Sequence, residues 1–301
     1  MQPRQAGHET GLCLLSEETV DEAVKRFQPD IAAFSASTGE SNVCGRANLH
    51  IKEKYPNIFT VIGGPHPTFL PEVVNERYDA ACIGEGEHTF AELLRALEAG
   101  DSIHGIAGLA TPQNPNPEIR DLIEDLDSLP FPDRSLFYDN TAVGSMTRRS
   151  FMATRGCPHK CAYCFNHQWH EIYKGHGKIC RRRSVDNLIS EIEEVKSAYP
   201  MQVVKFYDDI FCMKADAWLE EFSREYKKRI GLPFLALTRA ELVTDDMLKL
   251  LKSAGCQSIS MAIECANPDV RNRLLHRKQT DEDIIRGFQL CRKHGIKTFA
   301  N

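Results

Sequence analysis

The 301-residue chain has no apolar run long enough to span a bilayer, and its start, Met1-Gln-Pro-Arg-Gln, lacks the apolar core of a signal peptide. The reading is a cytoplasmic protein. It also lacks a strong excess of one charge. Lys and Arg number 37 against 42 Asp and Glu, a net of −5, so no global basic field recruits nucleic acid or an anionic membrane. No internal repeat of fixed short period and no low-complexity tract occurs. The residues present, 42% hydrophobic and 26% charged, have the balance of a globular protein, and at roughly 150 residues per domain the length predicts two domains. Eleven cysteines stand out. The count is odd and the chain is too large to need disulfide staples, so a reduced compartment with some thiols used as metal ligands is expected.

The first third alternates short β-prone runs with amphipathic stretches. Ile31 to Phe34, Phe59 to Ile62 and Ala80 to Ile83 each end in small or turn-forming residues, as buried parallel strands do. Between them lie helical patterns: one over residues 16–27 with Ser16 as candidate cap, then Val43 to Tyr55 and His88 to Leu97. This alternation predicts a doubly wound α/β sheet whose ligand sits beyond the carboxyl ends of the strands. Those ends carry Ser35, Ser37 and Thr38, then Gly63, Gly64 and His66, then Gly84, Glu85 and Gly86. Glycine and hydroxyl residues there let backbone approach a ligand and offer amide donors.

From Thr111 to Asp133 proline recurs five times among acidic residues, which favours an extended connection. The expected division is a first domain over 1–111, a linker over 112–147 and a second domain over 148–301. The second domain repeats βα units: strands near Ser150, at Val203 to Tyr207, Phe234 to Leu237 and Ser258 to Ile263; helices at Val185 to Tyr199, Ala215 to Ile230, Asp245 to Ala254 and Asp281 to His294. A last strand begins at Ile296. Four complete units cannot close a barrel, so a partial (β/α) barrel is expected.

The densest motif is Cys157-x3-Cys161-x2-Cys164, three cysteines on a loop directly after a strand. Three thiolates so close in sequence can wrap one metal centre. Zinc would take a fourth ligand from His159, His167 or His170; an iron–sulfur cubane would keep one iron open. Spacing alone leaves both in place.

With Tyr163 as the aromatic before the third cysteine, this loop resembles the signature of the radical S-adenosylmethionine (radical SAM) enzymes, and it sits after the first barrel strand as theirs does. The resemblance extends through Asp208 and Asp209 after the second strand and Glu264 after the fourth. Upstream, the Gly63-Gly-Pro-His-Pro-Thr and Gly84-Glu-Gly-Glu loops, with the Leu126-Asp-Ser-Leu-Pro-Phe-Pro linker, are similar to the cobalamin-dependent members. The fold implied is a Rossmann-like cobalamin-binding domain followed by the partial barrel.

The resemblance also implies the chemistry. Cys157, Cys161 and Cys164 would ligate a [4Fe-4S] cluster whose open iron chelates SAM. Reductive cleavage of SAM would then give a 5′-deoxyadenosyl radical, with cobalamin as the second cofactor. Tyr163 would line the adenine, and Asp208 or Asp209 would hold the SAM amino group or substrate. Glu264 would accept from the ribose hydroxyls, and Arg239 would face the SAM carboxylate unless it pairs structurally with Glu241. The nine loop residues from Ser35 to Gly86 named above would contact cobalamin. His66 lies in a Pro-His-Pro turn that suits a polar contact better than an axial cobalt ligand. The Asp-x-His-x-x-Gly motif of other cobalamin domains is absent: His8 and Gly11 match, but Ala6 takes the Asp position.

The implied activity is methyl transfer to an unactivated carbon or phosphinate centre of a small-molecule substrate, with an electron donor such as flavodoxin or ferredoxin. Two alternatives stay open: a non-methylating oxidoreductase or cyclase using the same cofactors, and a zinc-stabilised nucleic-acid-binding module. A chain that begins past the first strand and stops within a barrel is expected to be a fragment or truncated product of a longer enzyme. Cys13, Cys44, Cys82, Cys256 and Cys291 read as buried packing, as do Cys180, Cys212 and Cys265 with less to place them. Arg148, Arg149 and Arg181 to Arg183 read as a solvated basic face.

Overall fold

A computed structural model describes residues 7–75 and 78–301; residues 1–6, which include the Ala6 position noted above, and 76–77 lie outside it. The chain divides into two compact units, Met1–Ile123 with Ile172–Gly177, and Glu124–Glu171 with Lys178–Asn301.

The first unit contains α1 (Val20–Phe27), β1 (Ile31–Ser35), α2 (Ser41–Lys54), β2 (Phe59–Gly63), α3 (Pro65–Phe69), β3 (Ala80–Cys82), α4 (Gly86–Ala99) and β4 (Leu109–Ala110). The sheet order is β1-β2-β3-β4. The first three strands are parallel, and their register sets Ser35 beside Gly63. β4 closes the edge antiparallel and was not anticipated, because two residues are too few to show a period. The first helix is capped at Thr19 rather than Ser16: Thr19 and Glu22 form a reciprocal capping box, which satisfies two backbone donors.

The proline-rich stretch is not a free linker throughout. Residues 112–123 belong to the first unit and 124–147 to the second. Leu122 donates its backbone N–H to the His176 carbonyl at 2.9 Å, and Ile123 donates to the Glu85 carboxylate at 2.8 Å. Segment Ile172–Gly177 comes from beyond the cysteine loop, yet it packs within this unit. Its buried Tyr173 sits against Gly84: a Cβ added there would lie 1.6 Å from the Tyr173 hydroxyl, and φ at Gly84 is +80°. Only glycine fits that position.

The second unit holds α5 (Ser135–Tyr138), β5 (Arg148–Phe151), β6 (Thr154–Arg155), α6 (Asn166–Ile172), whose last residue belongs to the first unit, and β7 (Arg181–Arg182). It continues with α7 (Val185–Ala198), β8 (Val203–Phe206), α8 (Ala217–Glu225), β9 (Phe234–Leu237), α9 (Asp245–Ala254), β10 (Cys256–Met261), α10 (Asp281–Lys293) and β11 (Lys297–Ala300). Five parallel strands run in the order β11-β10-β9-β8-β5, the one-directional succession of a βα barrel segment. The helices are where periodicity placed them, with side-chain caps from Ser184, Asp216, Thr244 and Thr280. The predicted helix at Ala215 to Ile230 differs, because its last turn widens into a π-turn, Tyr226–Ile230.

An aromatic cluster of Phe206, Phe211, Phe222, Tyr226 and Phe234 forms the heart of this unit, with Phe206 and Phe211 stacked at 4.5 Å. Each buried ring contributes roughly 1.5–3 kcal/mol. Cys212, Cys256 and Cys291 are buried in the same core, and Cys44 and Cys82 are buried in the first unit, as packing requires. Cys13 and Cys180 are exposed, which corrects the packing reading for both. The basic stretch is a solvated face only in part: Arg148 and Arg182 are exposed, whereas Arg149 and Arg181 are buried. Arg149 is buried, donates to the carbonyls of Val143, Gly144 and Pro200, and stacks on Tyr138. Arg182 pairs with Asp216 and Arg183 with Glu191.

Candidate cofactor site

A short antiparallel ladder, Thr154 with Arg182 and Arg155 with Arg181, frames the start of the cysteine loop and the return of the chain. Gly156 opens the loop at φ +85°. A Cβ there would meet the Ile179 carbonyl oxygen at 2.2 Å, so glycine lets the two arms close just before Cys157. Cys157 and Cys161 are buried and Cys164 half-buried.

Each of the three sulfurs faces an N–H group. The His159 backbone N–H bonds Cys157, an Arg239 guanidinium N–H donates to Cys161 Sγ at 3.3 Å, and the Asn166 amide donates to Cys164 Sγ at 3.5 Å. Such donors suit sulfurs that carry negative charge as metal ligands. Without that charge, burial pushes the Cys157 thiol up to about 11. His167 and His170 hold the loop from within, their rings bonded to the carbonyls of Cys164 at 2.6 Å and Cys157 at 2.7 Å. Among the described residues, no group of three or more His, Cys, Asp and Glu side chains stands ready to hold a metal ion. The donor set, three thiols on one loop with three N–H groups turned to them, fits a thiolate-bound cluster.

The strand-end carboxylates separate into two roles. Asp208 is buried, and its Oδ1 accepts from the backbone of Ala153 at 2.9 Å and from the Thr154 hydroxyl at 2.6 Å, tying the end of β8 to the end of β5. Its Oδ2 is buried without a partner among the described residues. Burial pushes this carboxyl up to about 6, with the Thr154 and Ala153 donors opposing the shift. Asp209 is also raised by burial, against a hydrogen bond from Asn166.

Tyr163 and Glu264 meet. The Tyr163 hydroxyl donates to Glu264 at 2.8 Å and accepts from Arg277 at 2.9 Å, while Arg277 also pairs with Glu264 at 3.7 Å. Enclosure of the hydroxyl, with the Glu264 bond, drives the Tyr163 pKa upward. Glu264 has φ +65°, a left-handed conformation that costs a non-glycine residue on the order of 1 kcal/mol. Arg239 does pair with Glu241, as the structural alternative for it held. Arg277, Gln279 and Asn166 went unrecognised in the sequence. All three are buried polar residues, a costly state that points to defined partners, but nothing in their local spacing names those partners.

In the first unit, β1 to β3 bring the three glycine and hydroxyl loops to one edge of the sheet. Ser35, Ser37 and Thr38 are exposed there, so their hydroxyls and the adjoining glycine backbone fit a ligand rich in amide and phosphate groups. His66 is buried, with Nδ1 3.4 Å from the Thr38 hydroxyl. Glu85 is spent on the Ile123 backbone. Thr68, also unrecognised in the sequence, joins the second and third loops: its hydroxyl donates to the Gly64 carbonyl at 2.8 Å and accepts from the Gly84 N–H at 2.9 Å.

Two family models match the chain, the B12 binding domain over residues 2–94 and the Radical SAM superfamily over residues 152–301. An uncharacterized methyltransferase of Pyrococcus horikoshii is 28% identical over 295 residues, which cover 95% of this chain and 62% of that protein. The anaerobic magnesium-protoporphyrin IX monomethyl ester cyclase of Rubrivivax gelatinosus is 28% identical over 307 residues, 95% of this chain and 53% of that one. Among solved structures, the radical S-adenosylmethionine methyltransferase TsrM of Kitasatospora setae, with tryptophan substrate and a SAM analogue bound, matches with TM-score 0.75. The match has 16% identity and covers 93% of this chain and 58% of that one, a likeness of fold. The chain thus spans 53–62% of the length of these proteins.

Proposed function

Because this chain belongs to the radical SAM superfamily and carries a B12-binding domain ahead of its radical SAM domain, we propose that it functions as a cobalamin-dependent radical SAM methyltransferase. Its substrate is a small molecule methylated at an unactivated carbon or phosphinate centre. The observation that carries this reading is the set of three cysteine sulfurs, each met by an N–H donor.

When bound, the cluster supplies the single electron that cleaves SAM, and cobalamin supplies a methyl carrier. The chain's own residues bind and orient. Cys157, Cys161 and Cys164 hold the cluster. Tyr163 and Glu264, locked to each other through Arg277, present an aromatic face and a carboxylate to the nucleoside. Asp208 keeps one oxygen on Ala153 and Thr154, just past β5, and would leave Oδ2 for the SAM amino group, with Asp209 beside it in sequence. Ser35, Ser37, Thr38, Gly63, Gly64, Gly84 and Gly86 would offer hydroxyls and backbone to cobalamin, and the buried His66 steadies the Thr38 hydroxyl. An electron carrier of the flavodoxin or ferredoxin type would supply the electron that reduces the cluster before SAM is cleaved.

A cyclase is the second reading, favoured by the Rubrivivax relative at the same identity as the methyltransferase. Anaerobic iron–sulfide reconstitution should give a brown protein absorbing near about 400 nm, lost in Cys161→Ala. A colourless protein holding one zinc would overturn the assignment. With SAM and reductant, 5′-deoxyadenosine is expected. S-adenosylhomocysteine formed only with added cobalamin supports methyl transfer, and its absence with the physiological substrate present supports the cyclase.

A further inference from the structure

Arg239 lies at the end of a closed chain of buried polar groups. It is 6% exposed, and three of its N–H groups have fixed partners: Nε on the Glu241 carboxylate, Nη1 on Cys161 Sγ at 3.3 Å and Nη2 on the Arg277 carbonyl. Gln279, fully buried, donates to the other Glu241 oxygen and accepts from Arg277 Nε at 3.1 Å. Arg277 in turn donates to the Ala262 carbonyl at 2.6 Å and to Tyr163. The turn that supplies Arg277 and Gln279 is bound to the cysteine loop itself, since the Ala162 N–H donates to the Leu275 carbonyl at 3.1 Å.

A planar guanidinium held at three points cannot swing toward a ligand without breaking buried hydrogen bonds. Its charge and its N–H are therefore aimed at one sulfur. Adding an electron to a thiolate-bound cluster raises the negative charge on its sulfurs, and a charge-assisted donor stabilises that added charge. Glu241 opposes this from the other side of the guanidinium.

We propose that Arg239 is a positioning residue that sets the reduction potential of the cluster through its hydrogen bond to Cys161, with Glu241 as the counterweight. This rests on the cluster assignment above. Removing the donor makes the cluster harder to reduce; neutralising the counter-charge makes it easier. A residue that merely packs would not move the potential in opposite directions when two bonded neighbours are changed in turn.

The test is an EPR-monitored redox titration of the reconstituted protein without SAM. Arg239→Gln is expected to shift the midpoint to more negative potential and Glu241→Gln to less negative potential. Parent protein carrying 15N-guanidino arginine should also show a 15N coupling to the reduced cluster by pulsed EPR, a measurement that needs no variant to fold. Loaded variants with unchanged midpoints, shifts of the same sign, or no 15N coupling in the labelled parent would overturn the proposal. A parent that assembles no cluster would instead overturn the assignment on which it rests.

Discussion

Asp208 is a buried carboxyl with one oxygen committed to neighbouring backbone and hydroxyl donors and the other without a partner among the described residues. Three donors hold one of its oxygens at the end of β5, yet burial wins over them and raises the group from 3.8 to about 6. The folded chain therefore binds this proton more tightly than the unfolded chain does. That contribution favours folding below about pH 4 and is lost as pH rises through about 6, a difference of about 3 kcal/mol at full ionisation. Asp208→Asn keeps an acceptor for Ala153 and Thr154 and removes the ionisation. The variant is expected to show a flatter dependence of urea unfolding midpoint on pH between 4 and 7 than the parent. Parallel curves would mean that another group sets the trend.

Elements here are fixed by their ends as much as by their faces. At α1 the capping box places the start at Thr19, so Thr19→Ala should cost about 1 kcal/mol while Ser16→Ala changes little, read from thermal unfolding of the first unit. Equal effects of the two substitutions would disprove the assignment. Strands β8 and β9 and helices α7 and α9 followed from period and flanking caps, and the cysteine loop from a spacing too compact to be chance. Hydroxyl residues at both 16 and 19 precede the same apolar stripe, and only geometry separates them as caps. Arg277 was invisible for another reason: its partner Tyr163 lies 114 residues away, and no local pattern encodes such a pair. Arg149 and Arg183 looked like a basic surface because a run of arginines reads as charge. In the fold, carbonyls, Tyr138 and Glu191 absorb that charge one residue at a time.

At the scale of the whole molecule, the order of residues and the order of units differ. The chain leaves the first unit, builds the cysteine loop, and returns Ile172–Gly177 to the first unit before resuming the second. Tyr173 is the buried anchor of that return. Tyr173→Ala is expected to cost the first unit about 3–5 kcal/mol, as large aromatic truncations do. Hydrogen exchange should speed up in β1 to β3 while β8 to β10 keep their protection; uniform loss across both sets, or none, would show that the segment is not anchored this way. No helix among the described residues is long and apolar enough to cross a membrane. The Tyr173 hydroxyl also stands where a side chain of residue 84 would begin. Two positions almost ninety apart in the sequence are therefore tied in one direction: the ring at 173 fills the space a side chain at 84 would need, while the φ of +80° holds residue 84 to glycine even where that ring is lost, so close relatives should vary at 173 more freely than at 84.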